Sequence, residues 1–564
     1  MSEPLLKPAS FNKFLYLSGI LVILFTACNN EHTHIGEKEI VERPEDINLK
    51  AEDIIHGTLK DILQNNRDIS DSFSLKNASY IQHLYEQTSF QPIWSAKGEF
   101  EPWADSLFIF IDSCHQYSLF PQDYYQQKLK ELKTELILDT SKENKLDAAK
   151  WAYSDLLLSS AFVQIVKDLR KGRLLPDSLL IKDSTLTPSF FSGQFQKFKQ
   201  SPLSQFTLDL EPTHIEYRKL KEGLKTFLSK ANFKNYTLIR TNDSVKIPGL
   251  VYQRLLEEKD SATVADSAIA DSLAIAAAIK KYQKRKGIKA DGKISSTLIK
   301  RLNNTDKEKF IRIAITMDKY KILQRLPEQY VWVNIPAFYL QVKDCDTVVL
   351  SSKIVVGKPE TKTPIITSAI TDMITYPKWH IPESIIKQEI LPGLKKDPGY
   401  TLRKGYTLTD KDGNEIDPYT VTWSKYKEYI PYRVIQGSGD ANALGVMKFN
   451  FPNKHSVYLH DTNQRHLFSK SGRALSHGCV RVQAWQELSE YILRNDSLFS
   501  ERAIPVDSVK TWLALKEKRV VPVRKKLPLF IRYFTCEAKD ETVVFYDDIY
   551  EEDRRIRETT FSDK

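Results

Sequence analysis

Cysteine is scarce in this sequence. Its 564 residues hold five, Cys28, Cys114, Cys345, Cys479 and Cys536. Their spacing contains no Cys-x-x-Cys pair and no zinc-ligand pattern. An oxidising compartment would allow one disulfide among Cys114, Cys345 and Cys536, and the sequence selects none. Long apolar runs are also scarce: the run from Phe14 to Ala27 falls short of the ~20 residues that a membrane-spanning helix needs. Concentrated charge is missing as well. The net charge of +10 is dispersed, and no segment resembles a nucleic-acid module, which removes nucleic-acid binding from the function classes. A modest basic balance suits acidic partners, anionic lipid headgroups among them.

What is present describes an ordinary folded protein, 41% apolar and 27% charged, and too long for one domain. Lys7 and Lys13 precede the apolar run, which ends in Phe25-Thr26-Ala27-Cys28. A positive start and a short apolar stretch make an export signal over residues 1–28. The small residue before Cys28 resembles a bacterial lipobox, which implies a diacylated Cys28 as the mature N-terminus; an uncleaved anchor is the alternative. Residues 29–54 are polar and aperiodic, a tether. Residues 55–240 carry helical periodicity, as at Leu59, Ile62 and Leu63. Residues 245–304 give a helix with Ile279, Tyr282 and Gln283, a stop at Gly287, a turn at Asp291-Gly292 and a helix through Leu298 and Leu302. Asp306 to Leu323 is a linking helix. From Gln329 the period switches to two, and strands follow to about Tyr550. Leu527–Thr535 and Val543–Tyr546 are expected as late strands of the same sheet, and residues 551–564 as a frayed, charged tail.

The stretch from Tyr458 to Val482 holds the chemistry. Cys479 lies between Gly478 and Val480, His477 stands two residues before it, and Arg481 two after; His460 ends an apolar run upstream. A cysteine does covalent chemistry when its thiolate is accessible and stabilised by a nearby cation or base. Each residue also has a plainer reading: Cys479 a small buried hydrophobe, His460 a strand-end histidine satisfied by backbone, His477 a loop-shaping residue, Arg481 an ion-pair partner. His455 and His466 have no motif around them and read as surface or loop.

Ser476-His477-Gly478-Cys479-Val480-Arg481, with His460 before it across a loop from Asp461 to Leu475, resembles the active-site signature of the L,D-transpeptidase family, whose catalytic domain is of the YkuD type. Asn442-Ala443-Leu444-Gly445 and Phe451-Pro452-Asn453 resemble the turns that flank the preceding strand in longer Gram-negative members; Asn463 stands where those carry proline. Tyr376-Pro377-Lys378-Trp379-His380-Ile381-Pro382 matches the strand before an inserted lid. Gln91-Pro92-Ile93-Trp94, Leu119 to Tyr124 and Gly172-Arg173 resemble the helical scaffold domain of those members, and residues 245–304 resemble a three-helix peptidoglycan-binding module, with a structural spacer as the alternative.

The resemblance implies a multidomain protein: an α-helical scaffold, a small three-helix module, and a mainly β, sandwich-like catalytic domain over residues 328–550 with a lid insertion at 382–433. It implies acyl transfer between peptidoglycan stem peptides. Cys479 is then the nucleophile toward the third stem residue and His460 the general base. His477 and Gly478 shape the oxyanion loop, and Arg481, Ser476 and Tyr458 contact substrate. No metal or organic cofactor is expected. The expected setting is the periplasm, with the lipid on Cys28 as a membrane anchor and peptidoglycan as partner, and carbapenems are expected to acylate the same thiol. Attachment of protein amines to the wall, or hydrolysis there, shares the thioester; a dormant peptidoglycan-binding scaffold is the rival of another class.

Overall fold

The computed structural model describes residues 38–65, 75–138, 142–174, 186–240, 244–258, 272–323 and 325–564. The export signal and Cys28 lie outside the described residues. The helical region starts earlier than its periodicity suggested. Helix α1 (Pro44–Asn65) begins inside the expected tether, because Ile47, Ala51, Ile54, Ile55 and Leu59 form a continuous apolar stripe buried against helix α2 (Ala148–Lys171). Helix α2 is apolar on nearly all sides and forms the axis of this domain. Its Asp155 is fully buried. It accepts hydrogen bonds from the Ile93 and Trp94 N–H groups (2.9 and 3.0 Å), the Tyr85 hydroxyl (2.6 Å) and the Ser95 hydroxyl (3.0 Å). Those bonds pin the Gln91–Trp94 turn, yet burial still pushes the Asp155 carboxyl up to about 6. Trp94 and Tyr124 are buried core aromatics, with no face open to a ligand.

Among the described residues of 244–303 there are three helices, α3 (Ile247–Glu257), α4 (Ser272–Arg285) and α5 (Ser296–Asn303), around Val251, Leu255, Ile279, Leu298 and Leu302. The Asp291-Gly292 turn is held by Gln283, which donates to Asp291 (2.8 Å) and accepts from the Gly292 N–H (2.9 Å). Helix α6 (Asp306–Lys321) then leads to the β domain. Its Asp318 is completely buried and takes the Arg173 guanidinium at 2.8 Å and the Lys321 ammonium at 3.0 Å. Gly172, at φ +70°, ends α2 so closely that a Cβ there would sit 2.8 Å from the Asp318 carboxyl carbon. Helical domain and linking helix are therefore riveted by a desolvated ion cluster.

Nine strands build the β domain: β1 (Gln329–Asn334), β2 (Tyr339–Asp344), β3 (Thr347–Gly357), β4 (Ile366–Thr375), β5 (Met447–Asn450), β6 (Leu459–His460), β7 (Ala474–Ser476), β8 (Val480–Val482) and β9 (Arg519–Arg532). They pair in the order β7-β3-β8-β6-β5-β4-β9-β1-β2, and β2 pairs back onto β3. The expected sandwich is thus one sheet closed into an eight-stranded ring, with β7 added beside β3. Closure satisfies both edges, which two stacked sheets would leave open. Inside the ring Val331, Leu340, Ile354, Ile370, Met447, Leu459, Val480 and Leu529 form the core.

Two C-terminal expectations are corrected. Cys536–Lys539 and Thr542–Phe545 pair only with each other and rest on the helix Ile215–Leu228, outside the ring. The charged tail is docked: helix α7 (Glu552–Thr559) pairs Arg557 with Glu308 at 3.0 Å, and Phe561 is fully buried under the Arg173 guanidinium. Residues 382–433 fold as a subdomain with its own core of Ile381, Ile385, Ile390, Leu394, Leu408 and Trp423. Tyr400, Tyr406 and Tyr426 pack on that core. Cys114, Cys345 and Cys536 are all free thiols.

Candidate active site

Strand register brings the expected residues together. Lys448 on β5 pairs with His460 on β6, and His460 pairs with Arg481 on β8. Paired residues share a face, and the alternate residues Met447, Phe449, Leu459, Val480 and Val482 point into the core. The row Lys448–His460–Arg481 therefore lies outside the ring. Tyr458 and Cys479, two residues before His460 and Arg481, continue the same face. Cys479 accordingly interacts with Tyr458, Lys448 and Arg481, and its Sγ lies 3.9 Å from the Ser456 carbonyl oxygen.

The loop that carries Cys479 is stapled from behind. Gly478 adopts φ +119°, which favours glycine. The Ser476 hydroxyl donates to the Cys479 carbonyl (2.6 Å) and accepts from the Gly478 N–H (3.2 Å). Buried Ser476 is thus a loop staple and is not free for substrate, and the Gly478 N–H is already spent. Among the described residues the N–H groups of His477 and Cys479 have no intramolecular acceptor, so these are the donors left for an oxyanion. Thr363 donates to the Gly478 carbonyl (2.7 Å). The Tyr550 hydroxyl donates to the Gly357 carbonyl (2.6 Å) and accepts from the Thr363 N–H (3.1 Å). Tyr550→Phe, which strips those two buried bonds, is expected to slow acylation of Cys479 by about tenfold while leaving the fold intact. A time course of adduct mass against retained circular dichroism would check it.

Electrostatics favour a neutral thiol–imidazole pair at rest. Burial pushes the Cys479 thiol up, against the Tyr458 hydrogen bond and the charges of Lys448 and Arg481. His460 is 4% exposed; burial first, and Arg481 next, push it down to about 3. Its Nδ1 has no hydrogen-bond partner, which is what a proton acceptor requires. Arg481 donates to Gln464 (2.8 Å), and its buried Nε is unpaired. The residue after His460 explains the Asn442–Gly445 turn: a Cβ at Gly445 would meet the Asp461 carboxylate at 2.2 Å. Asn463 ties the next loop back to the Ala441 carbonyl at 2.8 Å. His455 and His466 are exposed, and neither pairs with a residue of this row.

The insertion touches the site twice. Its Glu389 meets His477 Nε2 at 2.6 Å. At its base, the Trp379 indole faces the Tyr458 hydroxyl, too loosely to bond, so its N–H remains an unpaired buried donor. Sequence reasoning missed Lys448, Glu389, Thr363 and Tyr550. The alternation Met447-in, Lys448-out was readable; the other three come from distant segments.

Residues 328–509 match the family model of the L,D-transpeptidase catalytic domain, and residues 79–224 match that of the Scaffold domain. A putative L,D-transpeptidase of Haemophilus influenzae (strain ATCC 51907 / DSM 11121 / KW20 / Rd) is 35% identical over 254 residues, covering 45% of this chain and 50% of that protein. The chain therefore matches about half the length of that curated relative. The three-helix region lies outside both family matches. The chain thus carries a YkuD-type L,D-transpeptidase catalytic domain beside a Scaffold domain.

Proposed function

We propose that this protein cross-links peptidoglycan by joining the third residues of two stem peptides, with a tetrapeptide as donor. Cys479 Sγ attacks the carbonyl carbon of the third residue while its proton passes to His460 Nδ1. The tetrahedral oxyanion is met by the Cys479 and His477 N–H groups. Collapse breaks the amide bond, and the His460 proton leaves on the amine of D-alanine. The amine of a second stem then attacks the thioester, gives its proton to His460, and releases the thiolate for reprotonation. The observation that carries this reading is the unpaired Nδ1 of a buried, neutral His460 on the same outward face as Cys479. The cap formed by residues 382–433 would exclude water from the thioester. A lipid on Cys28 would hold the enzyme at a membrane facing the wall.

Intact-mass spectrometry of the protein with a disaccharide-tetrapeptide, beside Cys479→Ala, tests the reading. An acyl adduct and a cross-linked dimer are expected, both absent in the variant. Adduct followed only by free tripeptide would replace cross-linking by hydrolysis. No adduct with substrate or with a carbapenem would leave a dormant wall-binding scaffold.

A further inference from the structure

Lys448 carries a charge that the protein leaves unanswered. Its side chain is half-buried, with the ammonium 4.0 Å from the centre of the Tyr458 ring. Among the described residues it makes no hydrogen bond and no ion pair. Asp372, the carboxylate whose charge reaches it, is engaged elsewhere, as are acids of the neighbouring segments. Asp372 takes the Asn450 amide (2.6 Å) and the Thr371 hydroxyl (2.9 Å); Glu517 takes Arg519 (2.8 Å); Asp440 takes Lys516 (2.6 Å); Glu389 takes His477 (2.6 Å). Further positive charge collects beside it. Exposed His380, on the strand that follows Lys378, feels Lys518, Lys448, Arg433 and Lys378 together. Among the described residues none of Lys378, Arg433 and Lys518 has an ion-pair partner. Partial burial without a counter-charge costs an ammonium more than a π face returns. Such a group is stabilised when a ligand brings an anion.

Register fixes where that anion sits. Lys448 and Arg481 stand at the two ends of a row three strands wide, with His460 between them. At a strand spacing near 4.8 Å they are roughly 10 Å apart at the backbone, about the length of three extended residues. Cys479 lies one row further on, two residues before Arg481 along the chain, so a carbonyl reacting there has one cation on its own segment and the other two strands away. That spacing suits a peptide with more than one carboxylate.

We propose that Lys448, at the floor of a patch completed by Lys378, His380, Arg433 and Lys518, is an anion subsite that takes a carboxylate of an acidic peptide substrate, two strands across from β8, which carries Arg481 and follows directly on Cys479. The subsite rests on the reading of Cys479 as the acyl-transfer nucleophile.

The experiment measures acylation of Cys479 in the full chain by a stem tetrapeptide and by the same peptide with every carboxylate amidated, in wild type, Lys448→Met and Lys448→Arg. Iodoacetamide, a neutral reagent, reports the thiol in parallel. The wild type is expected to prefer the acidic peptide by about a hundredfold, Lys448 and Arg481 each contributing about tenfold. Lys448→Met should lower that preference by about tenfold, mostly through KM, and Lys448→Arg should restore most of it. An unchanged preference in Lys448→Met would overturn the subsite. So would a fall in iodoacetamide reactivity matching the fall with both peptides, because Lys448 would then act on the thiolate. If neither peptide acylates the wild type while iodoacetamide labels it, the transpeptidase reading itself fails and takes the subsite with it.

Discussion

His460→Gln is expected to slow acylation of Cys479 by about 10²–10⁴-fold, the usual worth of a positioned general base. Glutamine fills similar space and keeps a hydrogen-bonding group but cannot take up the thiol proton. The same variant carries a second, opposite signature. In the folded protein His460 titrates near 3, pushed down by burial and then by Arg481, whereas an unfolded histidine titrates near ~6.5. Above that value both states leave the ring neutral and pH has no leverage. Below it the unfolded chain binds a proton that the native ring refuses, so native stability falls by about 1.4 kcal/mol per pH unit down to about pH 3. The glutamine variant lacks this loss. Urea midpoints at pH 7 and pH 4.5 should therefore converge in the variant and separate in the wild type, while adduct formation at pH 7 shows the catalytic defect. A variant that acylates at the wild-type rate would remove His460 from the mechanism.

Asp318→Asn is expected to be the most costly single change to the fold, at about 3–5 kcal/mol. Burial alone would raise the Asp318 carboxyl; Arg173 and Lys321 outweigh it and hold it below the usual carboxylate range. The amide would leave two buried cations facing a neutral group. Since the pair joins the end of α2 to α6, the loss should appear as separation of the helical and β domains before global melting. Calorimetry should resolve one transition in wild type and two in Asp318→Asn. The wild-type contribution is present above the unfolded carboxylate value near ~3.9 and is lost only as pH falls through the still lower native value. A single, unshifted transition in the variant would show that the cluster adds nothing.

The proposed nucleophile stood out in the sequence because the motif around it is contiguous. Ser476 to Arg481 is one hexapeptide, and His460 lies on the strand that pairs in parallel with the next. The linking helix and the core aromatics were equally readable, since their periodicity is local. What stayed hidden depends on distant partners. Tyr550 reaches Gly357 across 193 residues, and Glu389 reaches His477 across 88. Ser476 looked available beside the cysteine; only the fold shows its hydroxyl committed to the Cys479 carbonyl and the Gly478 N–H. Helix α1 was truncated because a polar composition masked the stripe that starts at Ile47. The tail looked frayed because charge surrounds the buried Phe561. Lys448 is the instructive case: pattern alone pointed it outward, but its worth depends on acids that turn out to be engaged by others.

The closed ring also sets an order of events. Strand β1 pairs in parallel with β9, so Val331 lies beside Leu529, nearly two hundred positions further along the chain. Loop closure over such a span is entropically slow, and β4, which supports the strand bearing Lys448, borrows its other neighbour from that same late strand. Synthesis delivers the thiol well before the strands and the tyrosine that hold its loop in shape. A nascent or nicked chain ending before β9 would carry every residue of the signature and still lack an organised site. Reactivity is thereby deferred until the barrel has shut.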